Sequence, residues 1–65
     1  LMKVGDLVRY NKPDLHHCGI GLVIGLKEEL GLRWVMAQWI DKYTTKIREP
    51  LVELSTHLEV ISESR

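Results

Sequence analysis

Leu51-Val52-Glu53-Leu54-Ser55-Thr56-His57-Leu58-Glu59-Val60-Ile61 admits two readings, and the choice between them decides the fold. Leu51, Leu54, Leu58 and Ile61 recur at spacings of three, four and three, which is a helical stripe. Pro50 would suit the first position of such a helix. Against this, Ser55, Thr56 and His57 are mediocre helix formers, and Val60-Ile61 is β-branched. The second reading is a strand, one tight turn at Ser55-Thr56-His57, and a final strand from Leu58 to Ser62. A helix here gives four strands plus a C-terminal helix. A strand–turn–strand gives an all-β domain.

The segments upstream favour β structure. Trp34 to Ile40 (WVMAQWI) is the strongest strand, with Val35, Ala37 and Trp39 on one face. Trp34, Met36, Gln38 and Ile40 share the other. Lys3 to Tyr10 (KVGDLVRY) alternates in part, with Val4, Val8 and Tyr10 opposite Gly5, Leu7 and Arg9. Asn11-Lys12-Pro13-Asp14 breaks it with turn formers. In Gly19 to Leu26 (GIGLVIGL), glycines at 19, 21 and 25 predict a bulge, a bend or a close backbone approach. Lys27 to Arg33 reads as a polar connection with room for a helical turn at Glu28-Glu29-Leu30. Asp41 to Thr44 is a hairpin-length link, and Thr45 to Arg48 opens a fourth strand. Short strands with frequent turn signals predict a small barrel or sandwich.

The chain has 65 residues, 45% of them apolar and 28% charged, the composition of one small globular domain. A domain of this size has a thin core and no room for a deep cofactor cleft. Its nine basic and nine acidic residues cancel, so the strong positive charge of a dedicated nucleic-acid binder is missing. One cysteine cannot form an internal disulfide. The start, Leu1-Met2-Lys3-Val4, has no leader-like apolar stretch, and Met2 reads as the natural start. The longest apolar run, Gly19 to Leu26, is too short to span a bilayer. A cytoplasmic setting with no membrane partner is the expectation.

Together, KVGDLVRY, GIGLVIG, VMAQWID and HLEVIS resemble the small SH3-like β-barrels, and in particular short uncharacterised phage-encoded proteins. The resemblance covers nearly the whole chain. It implies a five-stranded barrel in which one 3₁₀ turn, at Ser55-Thr56-His57-Leu58, joins the fourth and fifth strands. It thereby favours the all-β reading of the last segment. The implied core is Val4, Leu7, Val8, Ile20, Val23, Val35, Ala37, Trp39, Leu54, Leu58 and Val60. Trp34-Val35-Met36-Ala37 is also similar to the W-W-x-A strand of peptide-binding SH3 domains. Val35 replaces the second Trp there, the A-L-Y-D-Y opening is absent, and His57 stands where the groove Tyr would be. Those departures argue against a proline-rich peptide ligand.

His16-His17-Cys18 is the most chemical-looking stretch. Adjacent residues cannot readily converge on one ion, and the spacing fails the usual zinc pattern, so no metal site is expected. Cys18 lacks an orienting group or an oxyanion site, and no acid–base pair, nucleophile elbow or phosphate loop appears. The expectation is a non-catalytic domain without a cofactor. The outward face of the Trp34–Ile40 strand is the candidate partner-binding surface, carried by Trp34, Met36 and Ile40, because Trp and Met are enriched at interfaces. Its partner is another protein or a second copy. The alternative is a nucleic-acid-associated barrel using a basic face of Arg9, Arg33, Lys46 and Arg48, since the basic residues lie early and the acidic ones late.

Overall fold

The computed structural model describes residues 1–40 and 49–64. It contains β1 (Leu7–Tyr10), a 3₁₀ turn over Pro13–Cys18, β2 (Ile20–Glu29), β3 (Leu32–Ile40) and β4 (Leu51–Leu54). A second 3₁₀ turn, Ser55–His57, leads into β5 (Leu58–Ser62). The last segment is therefore strand, turn and strand, and the C-terminal helix is excluded. The strands form one antiparallel sheet in the order β4-β3-β2-β1-β5. β4 and β5 are its two edges, so the sheet is open. The expected link at Asp41–Thr44 and strand start at Thr45–Arg48 lie outside the described residues.

β2 and β3 form one long hairpin, with Glu29 paired to Leu32 across the two-residue turn Leu30-Gly31. Leu30 and Gly31 have φ of 55° and 75°. Positive φ at both turn positions matches the right-handed twist of the flanking strands. The reading of Lys27 to Arg33 as a polar connection is thus corrected. The glycine and the two-residue turn let both strands run to the tip, and Lys27, Glu28 and Glu29 are strand residues.

The core consists of Val8, Val23, Val35, Ala37, Trp39 and Leu58, with Met2, Tyr10 and Val60 packed against it. Trp39 is fully buried and stacks on Tyr10, ring centroids 4.9 Å apart and 6° from parallel. Gly21 faces this ring. A Cβ there would lie 3.0 Å from two Trp39 ring carbons and 3.2 Å from Ala37 Cβ, so glycine makes room for the indole. The bulge predicted from the glycines falls between Val23 and Gly25, where the register against β3 shifts.

Four expected core residues lie elsewhere. Val4 is 57% exposed because Lys3–Asp6 form a turn ahead of β1, with the Asp6 N–H donating to the Lys3 carbonyl at 3.1 Å. Ile20 is 45% exposed because Gly21 and Val23 take the inward positions of β2. Leu7 and Leu54 are half-buried on the outward side, opposite Leu22 and Trp34.

Asp6 joins the two ends of the described chain. Its fully buried carboxylate accepts from the Lys3 amide (2.9 Å), the Ser64 amide (2.7 Å) and the Lys3 ammonium (3.2 Å). The Ser64 and Lys3 amides, in that order, hold its carboxyl below the ordinary value of 3.8. Burial opposes them, and the Lys3 ammonium adds to them.

Candidate functional site

In β3, Val35, Ala37 and Trp39 are buried while Met36 and Ile40 are exposed and Trp34 and Gln38 half-buried. The strand has the two faces that its sequence predicts, because side chains alternate with a period of two. Strand pairing then decides what surrounds Trp34, Met36 and Ile40. Met36 lies between Gly25 of β2 and Val52 of β4. Ile40 pairs with Ile20, Gln38 with Leu22, and Leu22 with Leu7 of β1. Trp34 lies between Lys27 and Leu54. Directly opposite residues in an antiparallel pair point to the same side, so these partners share one face.

That outward face is largely apolar, interrupted by the half-buried Gln38 between Met36 and Ile40. Ile20, Leu22, Ile24, Met36, Ile40 and Val52 are each 41–54% exposed. Near Trp34 the surface dips into a shallow concavity of about 430 Å³ lined by Gly25, Leu26, Lys27, Glu29, Trp34, Met36 and Val52. Trp34 forms part of its wall and is half-buried. The sequence reading named three members of this face and missed Leu22, Ile24 and Val52. Alternation along one strand assigns its own faces, but only the register of its neighbours brings further side chains alongside.

The basic residues of the alternative reading do not gather in the same way. Arg9 lies on the outward side of β1, opposite in direction to Val8, and its guanidinium is 3.5 Å from Glu59. Arg33 precedes Val35 by two positions and therefore points to the inward side of β3, at its open end. It donates to Glu28 at 2.8 Å. The two described arginines thus lie on opposite sides of the sheet, each matched by a carboxylate. Lys46 and Arg48 lie outside the described residues.

A second cluster sits at the end of the core. Glu53 pairs with Val35 and so points inward, where its carboxylate meets β1 and the second 3₁₀ turn. It lies 2.7 Å from His57 Nδ1 and accepts from Tyr10 Oη at 3.3 Å and from the Leu54 amide at 3.1 Å. Tyr10, Glu53 and His57 line a cleft of about 410 Å³ together with Asn11, Lys12, Leu15 and Cys18. Nothing in the sequence signals the cluster, because Tyr10 and Glu53 are 43 positions apart. All the Glu53 contacts are internal to the chain, and they tie β4 and the turn to β1.

His16-His17-Cys18 ends the first 3₁₀ turn, and its donors diverge. His16 Nε2 is 3.9 Å from Glu59, whereas His17 Nδ1 is 2.9 Å from the Asp14 carbonyl oxygen. Cys18 Sγ is 3.7 Å from His17 Nε2. Among the described residues, no three His, Cys, Asp or Glu side chains gather as a metal site would require. Among them, too, no helix is long and apolar enough to cross a membrane.

No protein-family model, curated protein or solved structure matches this chain.

Proposed function

We propose that this chain is a non-catalytic protein-interaction module that docks through the outward face of β2, β3 and β4. One observation carries the reading: six large apolar side chains adjoin on that face, each 41–54% exposed. Isolated apolar residues on a surface are ordinary, but a contiguous patch on so small a domain marks an interaction site. The shallow concavity beside Trp34 and Met36 offers such a contact a pocket for an anchoring side chain. The domain itself is read as an SH3-like barrel, as in the phage-encoded proteins its motifs resemble. The strand order and the 3₁₀ turn between the last two strands support that assignment. A phage origin would place the partner among phage or host proteins in the bacterial cytoplasm.

Site-specific photocrosslinking tests the proposal. A photoreactive residue at position 36 or 52 is expected to give covalent protein adducts in cells, while one at Lys12 gives none. Adducts from position 12 alone, or none from 36 and 52, would overturn it.

A further inference from the structure

The outward face is matched in size and chemistry to itself. Its six exposed apolar side chains present on the order of 500 Å² of apolar surface, near the top of what a typical monomer leaves uncovered. The half-buried Leu7, Trp34 and Leu54 at its margin, and Gln38 within it between Met36 and Ile40, extend it toward the roughly 800 Å² per partner of a standard stable interface. The face asks for no oppositely charged partner. Among the described residues, the charges flanking it are already matched within the chain. Lys27 lies 3.1 Å from Glu29 at one end, and Arg9 lies 3.5 Å from Glu59 at the other. The whole chain has zero formal net charge, so two copies meet without mutual repulsion. Antiparallel sheets also stack readily, about 10 Å apart with strands near 30° to one another.

We infer that the occupant of the outward face is a second copy of this chain, packed sheet to sheet about a two-fold axis. This rests on the docking role proposed above and names its partner. An isologous contact uses the same patch twice, so a single self-complementary apolar face suffices to close the assembly at two. Met36 and Val52, paired across β3 and β4, lie within the buried patch. Lys27 and Arg9 mark its rim.

Sedimentation equilibrium of the full chain from about 5 to about 500 µM tests the inference, since that range populates both monomer and dimer for a dissociation constant in the micromolar range. A reversible dimer is expected, undiminished in about 1 M salt, where apolar contacts persist and charge pairs are screened. Met36→Lys and Val52→Lys are each expected to weaken it at least about 30-fold, as changes at the centre of an interface do. Both positions are exposed in the monomer, so circular dichroism should be unchanged. Lys12→Glu, beside the Glu53–His57 cleft and away from the face, should leave the dimer intact. A dimer that survives both substitutions would overturn the inference. So would a monomer at every concentration, and a soluble paramagnetic probe then separates two cases. Methyl groups of Leu22, Ile24 and Val52 that are open to the probe in that monomer overturn self-pairing and leave the docking role standing. Methyl groups shielded from it overturn both.

Discussion

Asp6 is fully buried, and the groups that stabilise its charge are 58 positions apart from it at Ser64 and three apart at Lys3. Hydrogen bonds to a carboxylate favour its ionised form and so lower its pKa in the folded chain. Such a group contributes stability above its unfolded pKa and loses it as pH falls through the lower folded value. The denaturation midpoint should therefore drop as pH falls below 3.8, the ordinary value for this group. Asp6→Asn is expected to lower the midpoint at neutral pH and to flatten that acid limb, measured by urea titration across pH. A variant that titrates in parallel with the parent chain would refute the assignment. The role of Asp6 was not legible in the sequence. KVGDLVRY reads as one partly alternating strand in which Asp6 has no assigned role, because its principal partner lies at the other end of the chain. Val4 was misread for the same reason, since the turn that Asp6 closes takes it out of the strand.

At the scale of elements, the two faces of β3 were legible from Trp34 to Ile40, because Gln38 and the bulky residues around it give the alternation an unambiguous phase, but its first residues, Leu32 and Arg33, were not. β2 was not. GIGLVIGL has no polar side chain to set which face points inward, and a shift of one residue reverses every assignment. The deciding contact is Gly21 beneath the Trp39 ring, which turns Ile20 and Leu22 outward. The β2–β3 turn was missed because leucine is a poor residue for it. Leu30 sits at φ 55° and is 93% exposed, so it takes a left-handed conformation without burying its side chain. That conformation costs a non-glycine residue about 1 kcal/mol, and asparagine tolerates it better. Leu30→Asn should stabilise the domain by about 0.5–1 kcal/mol and raise Tm by about 2–6 °C. Thermal unfolding checks this, and an unchanged or lower Tm counts against the strain.

For the whole molecule, the two sides of the sheet are both apolar, yet only one is covered. The inward side holds Val8, Val23, Val35, Ala37, Trp39 and Leu58 as the core. The outward side keeps its leucine, isoleucines, methionine and valine in contact with water. The sequence placed Trp34, Met36 and Ile40 on that side, but its extent depends on the register of β2 and β4 against β3. The balanced charge, which in the sequence argued only against a dedicated nucleic-acid binder, takes on a positive meaning here. It removes the electrostatic barrier to bringing two such faces together. The cationic alternative has less to work with in the described residues, since Arg9 and Arg33 point to opposite sides and each faces a carboxylate.

The Asp6 contacts have a topological consequence. With Lys3 and Ser64 bonded to the same carboxylate, the two flanks of the domain leave it side by side. The chain can then be closed with a short linker from Ser64 to Met2 and reopened between Leu30 and Gly31, at the exposed hairpin tip. Such a circular permutant is expected to fold to the same sheet, read by its amide spectrum. By the same geometry the unit can be inserted whole into a surface loop of another protein without prising that loop apart.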